Sequence, residues 1–214
     1  MMLRIALPTG RILKDAERFL AAAGLPPAEN LSQTRKLMVP SQCGRVEYLL
    51  VKPVDSPLYV EQGVAELGVS GKDVLMELAP DILEPLDLGF ARCRMVVAGR
   101  PEIRRSLDNT LSPVRVATKY PRVARLHFEK SGVPSVILKL SGSVEIGAVL
   151  GLSHYIVDIV ETGTTLRENG LVVHEEVAQC SARLVVNRAA FYSHLSEIGA
   201  ILDAFKSALE KAHA

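Results

Sequence analysis

The chain of 214 residues is long enough for one large domain or for two small lobes, each with its own core. A hydrophobic fraction of 48% and a charged fraction of 23% are typical of a globular protein. A net charge of +1 gives no indication of a nucleic-acid or membrane surface, so anionic ligands would have to be bound by local groups of charge.

The cysteines and the N-terminal segment indicate where the protein works. Cys43, Cys93 and Cys180 are far apart, and no Cys-x-x-Cys or Cys/His spacing predicts a zinc site or a disulfide framework. The N-terminal segment lacks a signal-peptide pattern, and no stretch approaches the roughly 20 apolar residues of a membrane span. We therefore expect a cytoplasmic protein with reduced thiols and with no membrane or nucleic-acid partner.

Strand-like and helix-like segments alternate along the chain, as apolar runs and helical spacing indicate. The first predicted strands lie at residues 3–7, 37–39, 46–52, 67–69 and 93–98, and the helices at 12–23, 58–62 and 72–78. After a polar segment around 100–113, strands at 114–118, 136–140, 156–160 and 182–186 alternate with helices at 121–131, 143–150, 166–169 and 189–213.

This alternation predicts an α/β fold with mostly parallel sheets. Two βαβ-like sections, joined by the strands at 93–98 and 182–186, predict two lobes with two chain crossings. We expect residues 1–91 plus 181–214 to form a discontinuous lobe I and residues 92–180 to form lobe II. A ligand would then bind in the cleft between the lobes.

The most informative segment is a buried strand that runs into a turn rich in threonine. The strand carries Asp158 and is followed by Glu161, and the turn is Thr162-Gly163-Thr164-Thr165 before a short predicted helix. Backbone N–H groups at such a turn, together with the hydroxyl groups, suit a phosphate, and the acids could accept hydrogen bonds from sugar hydroxyls. The alternative is a threonine N-cap without a ligand, and the residues alone leave both interpretations open.

Cations stand at two other turns of the first half. Gly10 and Arg11 open a predicted helix, where a positive charge opposes the helix dipole unless the arginine faces an anion. Arg35, beside Lys36 in a predicted loop, offers the bidentate grip on phosphate that a lysine lacks. Solvated side chains are the alternative in both places.

Two strand ends add weaker indications of a ligand. Gly71-Lys72-Asp73 is a turn before a helix that resembles a P-loop only in part, because Asp73 replaces the required Ser or Thr. A plain turn is the alternative. Lys139 ends a predicted strand, which is where α/β sheets usually bind ligands.

Taken together, these segments resemble the ATP phosphoribosyltransferase family, the enzyme that opens histidine biosynthesis. The resemblance runs from Leu3 to about Phe205. It is carried by residues 3–13 (LRIALPTGRIL), 32–37, 59–75, 115–120, 139–145, 156–166 (IVDIVETGTTL) and 181–187 (SARLVVN).

The resemblance implies a two-lobed fold similar to that of type II periplasmic binding proteins, with ATP and phosphoribosyl pyrophosphate bound between the lobes. It implies that phosphoribosyl pyrophosphate is bound by Asp158, Glu161, Thr162, Gly163, Thr164 and Thr165. It implies that ATP is bound by Gly10, Arg11, Arg35, Gly71, Lys72, Asp73 and Lys139, with Arg11 and Arg35 as the catalytic arginines. Mg²⁺ is the implied cofactor, with ligands that the sequence does not identify.

The length of the chain resembles the short form of this family, which lacks a C-terminal histidine-binding domain. The short form implies a catalytic dimer in a hetero-oligomer with a regulatory subunit that resembles histidyl-tRNA synthetase.

Two other functions stay open at this point. One is a nucleobase phosphoribosyltransferase of the type I fold, which has a similar threonine turn. The other is a non-catalytic two-lobed module that senses a ligand.

Overall fold

A computed structural model describes residues 2–103 and 112–213 of the chain. The described residues form two compact units, one within Met1–Leu75, Ala79–Ala91 and Ser181–Ala214 and the other within Met76–Leu78 and Arg92–Cys180. Part of the polar segment predicted at 100–113 lies outside the described residues.

Strands and helices alternate through most of the chain. In chain order the elements are β1 (Leu3–Pro8), α1 (Arg11–Ala22), β2 (Met38–Pro40), β3 (Val46–Val51), α2 (Ser56–Glu61), β4 (Leu67–Gly71), α3 (Lys72–Leu78), β5 (Leu83–Asp87), β6 (Cys93–Gly99), β7 (Val114–Thr118), α4 (Pro121–Lys130), β8 (Ser135–Lys139), α5 (Val144–Val149), β9 (Tyr155–Val160), α6 (Thr164–Glu168), β10 (Val172–Cys180), β11 (Ala182–Val186), α7 (Arg188–Ser193) and α8 (Leu195–His213).

The first unit is built on a six-stranded sheet with the order β2-β3-β1-β4-β11-β5. β1 lies parallel to both β3 and β4, so these three strands point the same way. Helix α1 turns Leu13, Ala16 and Leu20 towards the core, at the spacing of one helix face. Phe205 of α8 is fully buried in the same core, and its ring meets Phe19 edge to face.

The second unit is built on a five-stranded sheet with the order β10-β6-β9-β7-β8. β7 lies parallel to β8 and β9, while β6 pairs antiparallel with β9 and β10. Phe128 of α4 is fully buried and packs in a cluster with Met95 and Tyr155. Ile156 of β9 belongs to a second cluster that includes Leu166 of α6, so the strand has buried side chains on both faces.

The α/β class is confirmed, but the expectation of mostly parallel sheets is wrong because both sheets are mixed. Among the described residues, β1–β3, β1–β4, β7–β8 and β7–β9 are the parallel pairings, and the others are antiparallel. The joining strands β6 and β11 enter their sheets antiparallel. Two further strands, β5 and β10, escaped prediction. β5 contains Pro85, and register irregularities interrupt the alternation along β10.

Two details of the helices also differ from prediction. The predicted helix at 189–213 is two helices, α7 and α8, with His194 between them at φ −128°. Asn187 caps α7, since its side chain accepts a hydrogen bond from the Ala190 N–H at 2.8 Å. The predicted helix at 143–150 begins one residue later, at Val144, because Ser143 lies in the left-handed region at φ +47°, and the Ser143 side chain does not cap α5.

Each unit therefore brings the ends of three parallel strands to one edge of its sheet. In the first unit these strands are β3, β1 and β4, and in the second they are β8, β7 and β9. Ligands of α/β proteins usually bind beyond the carboxyl ends of such strands. The loops that follow these strands contain most of the residues proposed from the sequence.

The packing at Gly68 in β4 gives a test of this core. A Cβ atom at this position would lie 2.7 Å from Val60 Cγ2 and 3.3 Å from Val185 Cγ2. Because overpacking a filled core is destabilising, we expect Gly68→Ala to lower the free energy of unfolding by about 1–3 kcal/mol in urea titration. Gly199→Ala in α8 is the matched control. A Cβ atom there meets nothing within 4 Å, so we expect a neutral or stabilising change of up to about 1 kcal/mol. Equal effects of both substitutions would contradict this account of β4.

Candidate functional site

The threonine loop, residues 161–165, links β9 to the short helix α6. Gly163 lies in the left-handed region at φ +74° and immediately precedes the first turn of α6. The side chains of Thr162, Thr164 and Thr165 are exposed, and Thr162 Oγ1 lies 3.1 Å from Thr164 Oγ1. Glycine adopts the left-handed backbone conformation at little steric cost, so Gly163 suits the loop at this position.

Arg167 of α6 holds the threonine loop from one side. Its Nη1 donates to the Thr162 carbonyl oxygen at 3.0 Å, and its Nη2 donates to Thr164 Oγ1 at 3.1 Å. A Cβ atom at Gly163 would lie 3.4 Å from Arg167 Nη1. This arginine was not among the predicted site residues, although its position three residues after Thr164 puts both side chains on one helix face.

Asp158 of β9 is a buried carboxylate with a partly exposed lysine beside it. Its Oδ2 lies 3.6 Å from Lys119 Nζ, and its Oδ1 accepts a hydrogen bond from the Ile159 N–H at 2.9 Å. Burial raises the pKa of Asp158 above its ordinary value, while the Ile159 N–H and Lys119 lower this pKa and Glu145 raises it. Lys119 and Glu145 were not among the predicted site residues, yet both act on this carboxylate.

The other strand ends of this edge carry further polar groups. Lys119 follows β7 and Lys139 ends β8, and the pairing of Thr118 with Lys139 aligns these two strand ends. The buried Thr118 hydroxyl donates to the Val157 carbonyl at 2.6 Å and accepts from the Tyr120 N–H at 2.8 Å. The structure thus brings Lys139, Asp158 and the threonine loop to one edge of the second sheet.

The first unit has a corresponding edge at the end of β1. The Thr9 N–H donates to the Val51 carbonyl at 2.8 Å, which continues the pairing of β1 with β3 beyond Pro8. Gly10 then turns the chain at φ +91°, and Arg11 opens α1 with an exposed side chain. The predicted strand-turn-helix is therefore present, with the arginine in the first helical turn.

Arg35 lies in the segment that precedes β2. Because Met38 pairs antiparallel with Leu49, β2 begins where β3 ends, so Arg35 belongs to the same edge as Gly10. Its side chain is exposed. The neighbouring Lys36 is already paired, with its Nζ 2.7 Å from Glu29 Oε1. Of these adjacent cations, Lys36 thus has its charge compensated by a carboxylate.

Gly71, Lys72 and Asp73 form the junction of β4 and α3. A Cβ atom at Gly71 would lie 2.2 Å from Asp73 Oδ1, so a larger residue at this position would displace the Asp73 carboxylate. Lys72 Nζ lies 2.7 Å from Glu84 Oε2, and the Lys72 N–H donates to the Ser181 carbonyl at 2.9 Å. Both the charge and the backbone N–H of Lys72 therefore have partners in the protein.

Two features are absent from the described residues. Within residues 2–103 and 112–213, no group of three or more His, Cys, Asp or Glu side chains is arranged to hold a metal ion. In the same part of the chain, no helix combines the length and the apolar character that crossing a membrane requires.

The fold and these loops define an α/β protein with hydroxyl groups, backbone N–H groups and cations at its strand ends, a set suited to phosphorylated sugars and nucleotides. The sequence profile of the ATP phosphoribosyltransferase family matches residues 52–207. The chain belongs to the ATP phosphoribosyltransferase family.

Relatives and solved structures agree with this assignment. The chain is 48% identical to an ATP phosphoribosyltransferase of Caldanaerobacter subterraneus subsp. tengcongensis, over 92% of this chain and 93% of the relative. It is 46% identical to an ATP phosphoribosyltransferase of Geobacter metallireducens, over 94% and 95%. A chain of the ATP phosphoribosyl transferase (HisG:HisZ) complex from Thermotoga maritima superposes with a TM-score of 0.84, at 30% identity and complete coverage of both chains. The periplasmic VFT2 domain of Bordetella pertussis BvgS, at a TM-score of 0.56, 12% identity and coverage of 98% and 92%, shows the fold alone.

The family defines the reaction. The protein is a pentosyl transferase that catalyses the first step of histidine biosynthesis. The alternatives of a nucleobase phosphoribosyltransferase and of a non-catalytic sensor are not favoured by these relatives. Enzymes that handle polyphosphates generally act with a divalent metal.

The burial of Asp158 predicts a pH-dependent stability. A folded-state pKa above the unfolded value means that the native state binds more protons, so this group lowers the free energy of unfolding as the pH rises through the raised pKa. We expect Asp158→Asn to remove that loss. Its stability relative to wild type should increase from about pH 4, the ordinary aspartate value, upwards in urea titrations. Asp203→Asn is the control, because Asp203 is 77% exposed beside Lys206. A pH-independent difference for Asp158→Asn would contradict the buried charge.

Proposed function

We propose that the threonine loop binds the 5-phosphate of phosphoribosyl pyrophosphate while adenine N1 of ATP attacks C1 of the ribose. The N1–C1 bond forms as the bond from C1 to the pyrophosphate oxygen breaks, so pyrophosphate leaves and the anomeric centre inverts. The observation that carries this proposal is the exposed threonine loop at the end of β9, in a chain that belongs to this family. Three hydroxyl groups and the left-handed Gly163 are chemistry suited to a phosphate.

The transition state explains which residue types the reaction needs. The ribose takes on oxocarbenium character, and negative charge develops on the pyrophosphate. Adenine N1 has a free lone pair, so the attack requires little acid–base chemistry. The protein therefore has to align the two substrates and stabilise the departing charge.

We propose that Asp158 and Glu161 accept hydrogen bonds from the hydroxyl groups of the ribose. A carboxylate accepts hydrogen bonds from hydroxyl groups, and Asp158 is held in place by the Ile159 N–H and by Lys119. Burial raises the pKa of Asp158, whereas the neighbouring lysine favours its charged form. Ionised Asp158 would also favour an electron-poor ribose, because it places negative charge near the developing cation.

Arg11 and Arg35 are the proposed catalytic arginines, acting on the phosphates of ATP and on the leaving pyrophosphate. Each is exposed, and both lie at the edge where β1 and β3 end, Arg11 in the first turn of α1 and Arg35 in the loop before β2. Gly10, Gly71, Lys72, Asp73 and Lys139 remain proposed contacts to ATP. Among these, Lys72 is paired with Glu84, so we expect Lys139 to contribute more positive charge than Lys72 does.

Mg²⁺ is the proposed metal. Mg²⁺ commonly keeps several waters and binds through one or two carboxylates together with substrate phosphates, so a site with few protein ligands fits this ion. The carboxylates of Glu161 and of Asp158, which is electrostatically coupled to Glu145, are the candidate protein contacts in the second unit. When bound, Mg²⁺ would neutralise part of the pyrophosphate charge.

We also propose that this chain works with a regulatory subunit. The chain of Thermotoga maritima that resembles it over its full length belongs to a HisG:HisZ complex. By this likeness we expect a HisZ-type partner, similar to histidyl-tRNA synthetase, and a catalytic dimer within a hetero-oligomer in the cytoplasm. The direct test is release of pyrophosphate from ATP and phosphoribosyl pyrophosphate, with and without the partner and with histidine added. No release under any of these conditions would refute the function.

The arginine that precedes β2 gives a test of charge stabilisation. Arg35→Ala should lower turnover by about 100- to 1000-fold, the effect of losing one well-placed transition-state donor, while the melting temperature stays unchanged. Lys36→Ala is the matched control, because that neighbouring cation is paired with Glu29 and is assigned no role. Wild-type turnover in Arg35→Ala would remove Arg35 from the site.

The threonine loop gives a test of substrate assignment. Thr162→Val keeps the shape of the side chain and removes its hydroxyl group. We expect the KM for phosphoribosyl pyrophosphate to rise by about 10- to 100-fold, as for a lost hydrogen bond to a charged group, with little change in the KM for ATP. Steady-state kinetics with each substrate varied in turn measure both values. Equal increases for the two substrates would refute the phosphate assignment.

A further inference from the structure

The threonine loop has to bind a phosphate dianion, yet its own hydroxyl and backbone donors are neutral. Helix α6 has only five residues, so its dipole offers little compensation. The acids nearest in sequence, Asp158 and Glu161, add negative charge. A cationic side chain can supply the missing positive charge, and among the described residues Arg167 contacts the loop directly, at the Thr162 carbonyl and at the Thr164 hydroxyl.

The two contacts of Arg167 leave it able to do more than tie the turn. One N–H of Nη1 donates to the Thr162 carbonyl, and one N–H of Nη2 donates to Thr164 Oγ1. A guanidinium group has five N–H donors, so these contacts use two of them. The side chain is exposed, which leaves other donors accessible to a ligand.

The same contacts favour one direction for the hydrogen bond between the two threonine hydroxyl groups, because a hydroxyl that accepts from a cation becomes a better donor. Thr164 Oγ1 accepts from Arg167, so its own proton can be donated to Thr162 Oγ1, 3.1 Å away. The Thr164 N–H also points to Thr162 Oγ1, at 3.5 Å. With Thr162 Oγ1 accepting from Thr164, the Thr162 proton is the one left to point out of the loop. The positive charge of Arg167 at the start of this series of hydrogen bonds polarises all of them in the same direction.

We propose that Arg167 is a positioning residue for phosphoribosyl pyrophosphate, which aligns the hydroxyl of Thr162, through Thr164, as a donor to the 5-phosphate. This inference rests on the proposed function of the threonine loop. A phosphate dianion only accepts hydrogen bonds, so a loop whose outermost hydroxyl is fixed as a donor matches it, and the positive charge of Arg167 favours this dianion over a neutral hydroxymethyl group. Arg167 thus makes the loop specific for the phosphorylated sugar.

The test measures binding of two probes, phosphoribosyl pyrophosphate and pyrophosphate, to the purified chain by calorimetry. Arg167→Met should weaken the binding of phosphoribosyl pyrophosphate by about tenfold or more, which is the loss expected for a charge-assisted hydrogen bond. The affinity for pyrophosphate should stay unchanged. Arg167→Lys retains the charge but cannot bridge two acceptors with a planar fork, so we expect an intermediate loss. This conservative variant also keeps the test informative if Arg167→Met folds poorly, which its melting temperature reveals.

Two further variants separate the inference from the proposed function. Arg125→Met is the matched control, because Arg125 lies on α4 beside Val133 and Pro134, near the start of β8 and away from the strand ends. It should bind both probes as the wild type does. A double-mutant cycle combines Arg167→Met with Thr164→Val. The double variant should lose little more affinity for phosphoribosyl pyrophosphate than either single variant, because the arginine acts through the Thr164 hydroxyl.

Each outcome decides the question. Suppose that Thr162→Val weakens the binding of phosphoribosyl pyrophosphate while Arg167→Met and Arg167→Lys bind it as the wild type does. The proposed role of Arg167 is then refuted, and the assignment of the threonine loop to the phosphate stands. Fully additive losses in the cycle would also overturn action through Thr164. If Thr162→Val does not weaken phosphoribosyl pyrophosphate, the proposed function of the loop fails, and the role of Arg167 fails with it.

Discussion

The parallel pairing of β7 with β8 and β9 is the constraint on which the second unit depends. It fixes Thr118 against Lys139 on one side and against Val157 on the other, so that three loops begin at one edge of the sheet. The buried Thr118 hydroxyl reinforces this alignment by joining the Val157 carbonyl to the Tyr120 N–H. A one-residue slip of β9 would turn its side chains to the opposite face and remove Asp158 from Lys119. Chemistry at the loops therefore follows from backbone register before any side chain is considered.

Stability and function oppose each other at this edge. Asp158 is buried, and burial favours its neutral, protonated form. Binding sugar hydroxyls and stabilising a cationic transition state both require the charged carboxylate instead. Ser143 and Gly163 have left-handed backbone at the adjoining loops, and for Ser143 this conformation costs about 1 kcal/mol or more. Apolar clusters on both faces of β9 offset these terms. The rigid strand thus supports a loop that would be unfavourable by itself.

Local patterns predicted much of the fold, and the reasons for the errors are physical. The boundaries of β7, α3 and β11 agree with prediction because each is a short periodic run between Gly, Pro or polar residues. Strand direction is a property of distant pairing, so the antiparallel entry of β6 and β11 could not be read from the sequence. The threonine loop was found from its residue types alone. Arg167 and Lys119 were missed because their importance lies in contacts, to Thr164 and to Asp158, that only the folded chain reveals.

The position of β11 in the first sheet has a consequence for synthesis on the ribosome. β11 lies between β4 and β5 and pairs with both, although Arg92–Cys180 of the second unit separate it from them along the chain. While the chain emerges from its N-terminus, at about 5–20 residues per second, the second unit can collapse first, and β4 waits with an unpaired edge. Such an edge invites strand addition by another nascent chain. Until β11 leaves the exit tunnel, the edge of β4 is therefore open to pairing with a strand of another chain.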